Sequence, residues 1–129
     1  MIELTLPYPP SVNSYKNIGR LTKTKNGKLL QMRVNSPQTK QFYWNVWVKI
    51  HALMASEGVK AFGESMIYVE IDVYPPDKRK RDIDNVVKPI LDSMQHAGLY
   101  DDDYQIARLL ITRCSIIEQG QVIVRIFEL

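Results

Sequence analysis

The chain predicts an α/β fold: one domain spanning residues 1–129, with a mixed β-sheet packed against two main helices. Three observations carry that prediction. Ile67, Val69, Ile71 and Val73 alternate with Tyr68, Glu70, Asp72 and Tyr74, the period of a half-buried strand. Tyr43, Val46, Trp47, Ile50 and Met54 recur at helical spacing, as do Val86 or Val87, Ile90, Leu91, Met94 and Ala97. Proline and glycine punctuate the chain between these stretches, with no linker, repeat or low-complexity segment.

Ile2 to Leu6 alternates as a short strand, stopped by Pro7, Pro9 and Pro10. The segment from Pro9 to Tyr15 then reads as an ordered loop. Gly19 to Met32 reads as a basic hairpin with Asn26-Gly27 at its turn, and Lys23, Lys25 and Lys28 make it a projection rather than core. Ser36-Pro37 has the form of an N-cap followed by proline in the first turn, and Gly58 is a natural stop, giving one long helix. The strand from Met66 to Tyr74 ends at Pro75-Pro76. The second helix has to start near Asp84 or Asn85, because Pro89 is tolerated only in a first turn, and Gly98 closes it. Ile106 to Ile117 and Gln121 to Glu128 complete the sheet, joined near Gln119-Gly120.

Composition excludes several classes. Hydrophobic residues make up 45% and charged residues 24%, ordinary for a globular domain. The longest apolar runs fall far short of the ~20 residues a membrane-spanning helix requires. The residues after Met1 have neither the basic nor the apolar region of a secretory leader, so secretion is not expected. One cysteine and two histidines exclude a single-chain zinc site, and Cys114 reads as a small core residue. The net charge is only +3, so the clustering of charge matters more than its sum.

That clustering is sharp. In the run from Asp77 to Asn85, the cations Lys78, Arg79, Lys80 and Arg81 abut Asp82 and Asp84, which are spaced i, i+2. Cations suit a phosphodiester backbone, and paired carboxylates suit a divalent metal held against it. Residues i and i+2 of an extended chain point the same way, so both carboxylates are expected to face one point. Lys88 follows Asp84 at i+4, within reach of charge developing on a phosphate. Asp101, Asp102 and Asp103 follow the helix, either as an exposed turn or as the source of a third carboxylate. In the second case the chain must double back and the strand from Ile106 must run beside the 66–74 strand. The combination reads as a metal-dependent nuclease.

Blander roles exist for each residue. The basic run can be a solvated surface, and Asp84 or Asn85 can serve only as an N-cap. Asp72 and Asp92 read as surface carboxylates. His51 and His96 read as solvated groups near helix ends. Tyr43, Trp44 and Trp47 read as core or interface residues, although an aromatic ring can also wedge against bases. The spacing from Asp82 fails the calcium-loop pattern, because Val86 and Val87 occupy the fifth and sixth positions. No phosphate-binding Gly-x-x-x-x-Gly-Lys-Ser/Thr and no restriction-enzyme Asp/Glu-x-Lys after Pro76-Asp77 is present.

Arg81-Asp82-Ile83-Asp84-Asn85-Val86-Val87-Lys88, followed by Asp92, Gly98 and Asp102-Asp103-Tyr104-Gln105-Ile106, resembles the RusA family of Holliday junction resolvases. That family carries Asp-x-Asp-Asn-x-x-Lys, an Asp four residues on, and Asp-Asp-x-Gln-Val/Ile after the helix. The opening Pro9-Pro10-Ser11-Val12-Asn13 is similar to the family's Pro-Pro-Ser-x-Asn. The resemblance is legible from Ile2 to about Ile106, but not between Gly19 and Asn35 or much beyond Ser115.

The resemblance implies a small homodimeric endonuclease of bacteria or their phages and prophages. Such an enzyme uses Mg²⁺, with Mn²⁺ able to substitute, and resolves four-way DNA junctions by paired symmetric nicks in recombination and repair. It assigns catalysis to Asp82, Asp84, Asp103 and Lys88, metal ligation to the three aspartates, and DNA contact to Lys78, Arg79, Lys80 and Arg81. Asp103 is selected from its run because Tyr104-Gln105-Ile106 follows it. A nuclease for flaps or other branched DNA, and a non-catalytic nucleic-acid-binding module, are the alternative readings.

Overall fold

Ile2, Leu4 and Leu6 alternate with Glu3, Thr5 and Pro7, and the strand they form, β1 (Ile2–Pro7), buries the first set and exposes the second. The computed structural model describes residues 1–11, 16–23 and 29–129, with side chains described for 1–11 and 35–129. Along the chain follow β2 (Lys16–Lys23), β3 (Leu29–Asn35), α1 (Pro37–Glu57), β4 (Ile67–Tyr74), α2 (Val87–His96), β5 (Ile106–Arg113) and β6 (Gln121–Glu128). Short 3₁₀ turns at Ile83–Val86 and Asp103–Gln105 precede α2 and β5.

The main sheet has the order β1-β6-β4-β5. β6 lies antiparallel to both β1 and β4, whereas β4 and β5 are parallel and joined through α2. The mixed sheet is the one the sequence predicts, and β5 does run beside β4, as a returning chain requires. β2 and β3 pair only with each other among the described residues, from Lys16 opposite Asn35 to Lys23 opposite Leu29. The hairpin is thus longer than predicted, because its ladder continues to Asn35. The Asn26-Gly27 turn, Lys25 and Lys28 lie outside the described residues, as does the loop from Val12 to Tyr15.

Both helices pack on one face of the sheet. Phe42, Val46 and Ile50 of α1 and Ile90 and Met94 of α2 are buried against Leu4, Leu6, Ile67, Val69, Ile71, Val122, Val124 and Ile126. The other face is polar at its centre, where Arg125 meets Glu3 at 3.0 Å, Glu70 at 3.7 Å and Asp72 at 2.9 Å. Helix α1 begins as predicted. Ser36 Oγ accepts from the Thr39 amide at 3.1 Å, Pro37 follows in the first turn, and Gly58 closes the helix at φ 66°.

Several boundaries differ from the sequence reading for physical reasons. β5 stops at Arg113, not Ile117, because its partner β4 ends at Tyr74 before Pro75-Pro76. The chain beyond follows the departing prolines, with the Ile117 amide donating to Pro75 O at 3.0 Å. Cys114 sits just past that strand end and is half-buried, outside the core. His51 lies inside α1, its ring stacked on Trp47 and its Nε2 3.0 Å from Ala97 O, so it is not a solvated helix end. Trp44 and Trp47 are not core residues, being 59% and 39% exposed.

Candidate active site

The basic loop leaves β4 at two prolines and is braced by its own first residue. Asp77 accepts both guanidinium nitrogens of Arg81, at 2.7 and 3.1 Å, and the Arg79 amide at 2.9 Å. Those bonds, the Arg81 one foremost, hold the Asp77 carboxyl down to about 2. Arg81 O in turn accepts from Arg113 at 2.6 Å. Arg81 is therefore committed to the loop's own structure, while Lys78, Arg79 and Lys80 stay exposed. Arg79 and Lys80 line a cleft of about 280 Å³ together with Tyr8, Ser11, Asp82 and Asn85. Cations and one of the predicted catalytic carboxylates thus share one concavity.

Asp82 has extended backbone, at φ −70° and ψ 139°, and Ile83–Val86 then winds as a 3₁₀ turn. Asp84 lies inside that turn, so the extended i, i+2 geometry expected of Asp82 and Asp84 does not hold across Ile83. Neither Asp84 nor Asn85 is an N-cap. Asp82 holds the cap position of the 3₁₀ turn and makes no side-chain cap bond, and Val86 holds that of α2. Both carboxylates are exposed.

The second acidic segment returns along α2. Gly98 takes φ 85°, a left-handed conformation that suits glycine, and turns the chain back. The buried Tyr100 then ties the returning strand to the helix, its hydroxyl donating to Leu91 O at 2.6 Å. Gln105, only 4% exposed, locks the turn that follows. Its Oε1 accepts from the amides of Asp101 and Asp102 at 2.8 Å each, and its Nε2 donates to Gly63 O at 2.6 Å and Ser65 O at 2.7 Å. Asp102 completes a capping box by accepting from the Tyr104 amide at 2.9 Å. Of the three consecutive aspartates, Asp101 and Asp102 are exposed and Asp103 is turned partly inward.

Asp103 meets Asp92, Lys88 and Tyr100. Burial raises its pKa first and the charge of Asp92 raises it further, with Lys88 and Tyr100 pulling the other way. Burial also raises the Tyr100 hydroxyl, with Asp103 the next cause. Lys88 Nζ lies 3.3 Å from Asp92 Oδ2. Asp103 Oδ1 is buried without a hydrogen-bond partner, a condition buried oxygens seldom hold unless an ion or water completes them. Asp92 is thus half-buried against Lys88 and Asp103, not the surface carboxylate its sequence position suggests. The signal for it was its i+4 spacing from Lys88, which places the two on one helix face.

Asp103 therefore gathers with Lys88 and Asp92, roughly one and two helical turns past Asp84. Among the described residues, no three or more His, Cys, Asp or Glu side chains stand together as a ready metal cage. The donor set is nonetheless the all-oxygen kind that Mg²⁺ takes, and the unpartnered Asp103 oxygen fits a cation's need.

A family model, Endodeoxyribonuclease RusA, matches residues 7–127. The chain belongs to the RusA family. RusA membership covers the hairpin and the last two strands, where the motif resemblance is not legible. Among relatives, the crossover junction endodeoxyribonuclease of Enterobacteria phage HK97 is 29% identical over 127 residues, covering 98% of this chain and 94% of the relative. The RusA of Shigella sonnei strain Ss046 is 27% identical over 128 residues, and that of Escherichia coli strain K12 is 26% identical over 129. Each of these two alignments covers 98% of this chain and 93% of the relative. As a RusA-family chain, this protein is a nuclease. None of its described helices is long and apolar enough to cross a membrane.

Proposed function

We propose that this chain resolves four-way DNA junctions by paired symmetric nicks, acting as an Mg²⁺-dependent homodimer in the cytoplasm of a bacterium or of a phage-infected cell. One observation of the molecule carries the metal-dependent part of this reading: the buried Asp103 oxygen has no partner of its own. Asp82, Asp84 and Asp103 would hold the metal, with Mn²⁺ able to take its place. When bound, Mg²⁺ polarises the scissile phosphate and lowers the pKa of an attacking water.

The chain's own residues do the rest. Arg79 and Lys80 draw the phosphodiester into the cleft that Asp82 lines, with Lys78 on the approach. Arg81, held by Asp77, keeps that loop in one shape and leaves the other cations free to bind. Lys88 offsets the charge of Asp92 and Asp103, and its exposed ammonium is placed to stabilise negative charge on the phosphate. Gln105 ties the Asp101–Asp102 backbone to Gly63 and Ser65, so that the turn carrying Asp103 is held in place before DNA arrives.

Paired nicks require two sites related by two-fold symmetry, which a dimer supplies. The exposed Leu109 and Leu110 of edge strand β5, with Ile116 beyond it, offer apolar surface for a second copy. Against the reading as a non-catalytic module stands the absence of a side-chain cap bond at Asp82.

The test is cleavage of a mobile synthetic four-way junction by purified protein with Mg²⁺, with Mn²⁺ and with EDTA, beside flap and duplex substrates. Symmetric nicks in the junction, lost with EDTA, are expected, together with a dimer in sedimentation. Preference for the flap would favour the other branched-DNA reading. Cleavage undiminished in EDTA would remove the metal.

A further inference from the structure

Helix α1 carries its apolar core stripe on one side, through Thr39, Phe42, Val46 and Ile50. Trp44 and Trp47, the only two tryptophans of the chain, lie off that stripe and are 59% and 39% exposed. Exposing two indoles is costly and calls for an occupant. They are arranged as a column. Trp44 and Trp47 stack with ring centres 5.5 Å apart and planes within 4°, and Trp47 stacks on His51 at 4.0 Å. His51 is anchored by Ala97 O at 3.0 Å, so the column has a fixed inner end and an open outer one at Trp44.

A cleft of about 420 Å³ borders this column, lined by Asn35, Lys40, Tyr43, Trp44, Trp47 and His96. A second cleft, of about 310 Å³, is lined by Tyr43, Asp92, Gln95, His96 and Asp101. Tyr43 and His96 belong to both, their rings 5.2 Å apart, so the aromatic cleft runs into the acidic one at Asp92. At its other end it meets Asn35, the last residue of the hairpin, whose strands carry Lys16, Arg20, Lys23 and Arg33 in sequence.

We infer that the Trp44–Trp47 column is a stacking platform for unpaired DNA bases, extending the candidate active site along α1. The inference rests on the reading of this site as a branched-DNA nuclease, since a branch point is where bases leave the stack. Stacking is the interaction a flat, parallel indole pair supplies, and it tolerates any base because every base has a π-face. Lys40, which lines the cleft, supplies a cation for the phosphates between stacked bases. Continuity with Asp92 then feeds the same strand towards the carboxylates. A second copy of the chain is the less suited occupant, because the apolar edge at Leu109 and Leu110 lies on a different element from this polar-rimmed cleft.

Because both tryptophans sit in the patch, their fluorescence reports on it alone. The full-length protein is titrated, without metal, with a short single-stranded oligothymidylate and with an abasic oligomer of equal length and charge. Quenching by the oligothymidylate and not by the abasic oligomer is expected. Trp44→Leu should weaken oligothymidylate binding about 5- to 150-fold per stacked base, with the salt dependence unchanged, and Trp44→Tyr should restore most of it. If Trp44→Leu does not fold, the wild-type comparison of the two oligomers decides.

Equal quenching by both oligomers, or none by either, would overturn the inference. So would tryptophan emission that shifts with protein concentration alone, in step with self-association. Junction cleavage measured in parallel separates the two ideas. Cleavage without quenching defeats the platform alone, and quenching without cleavage defeats the nuclease reading alone.

Discussion

Lys88 Nζ stands 3.3 Å from Asp92 Oδ2, so the lysine's partner is one turn ahead of it on α2 and not the Asp84 one turn behind. The same ammonium pulls the pKa of Asp103 down, against the burial and the Asp92 charge that raise it.

Asp92→Asn should reduce junction cleavage about 10- to 100-fold, the usual cost of losing an outer partner of a metal ligand. Lys88→Ala should reduce it at least as much, because it also removes an exposed ammonium proposed to stabilise charge on the phosphate. The ion pair is largely solvated on the lysine side, so the unfolding free energy should change by no more than about 0.5 kcal/mol. Single-turnover rates with urea denaturation in parallel check both statements, and a midpoint that falls with the rate would reassign the pair to structure.

Asp103→Asn should lower cleavage by orders of magnitude while leaving junction binding intact or tighter, since a charge facing phosphate is gone. Its effect on stability has a definite sign. The folded-state pKa of Asp103 is raised above its ordinary 3.8, so the folded protein holds that proton more tightly than the unfolded chain. The stability this confers is present below the unfolded value and is lost as pH rises through the raised one. At neutral pH without metal the ionised group is a liability, and the variant should melt about 1–4 °C higher than wild type. Equal melting temperatures across pH 3 to 8 would show that the Asp103 environment is not strained.

Gln105→Leu should remove four hydrogen bonds from a side chain that is 4% exposed, leaving two carbonyls and two amides without it. A loss of about 2–4 kcal/mol in unfolding free energy is expected. Cleavage should fall further than the unfolded fraction explains, because the turn that orients Asp103 is then free to move. Activity measured well below the melting transition separates the two effects.

Among the loop cations, Arg79→Ala and Lys80→Ala should each flatten the log–log salt dependence of junction binding by about 0.9. Arg81→Ala should change that slope less and the loop's order more, because its guanidinium already belongs to Asp77. The Asp77 carboxyl, held down to about 2, contributes stability that is present above 3.8 and lost as pH falls through 2. Acid titration of Asp77→Asn should lack that step. Equal slope changes at Arg79, Lys80 and Arg81 would instead place all three on DNA.

The elements were legible in the sequence where a local rule sufficed. Alternation marks β4, Ser36-Pro37 and Gly58 bracket α1, and Pro89 confines the start of α2 to within a turn. Asp82, Asp84 and Lys88 stood out as candidate chemistry because paired carboxylates abut a run of cations, whereas Asp103 was picked from its run only by the family resemblance. Asp92 belonged to the resemblance and stood at i+4 from Lys88, yet read as a surface carboxylate, since one carboxylate on a helix looks like any other until a second approaches it. Nor was the role of Arg81 legible, because its partner Asp77 sits at the start of the same charged run and makes it look like one more phosphate contact.

What the sequence by itself determined is the set of local structures and the candidate groups for chemistry, because backbone propensity and side-chain chemistry act over a few residues. The tertiary structure alone decided their company. The parallel pairing of β4 and β5, the return at Gly98 and the Gln105 clamp bring Asp103 to Asp92 and Lys88. The same packing leaves Trp47 outside a core that its helical spacing suggested it would join, and Trp44 with it. Both outcomes depend on contacts between segments far apart in the chain, where burial and hydrogen bonding to a distant partner outweigh any local preference.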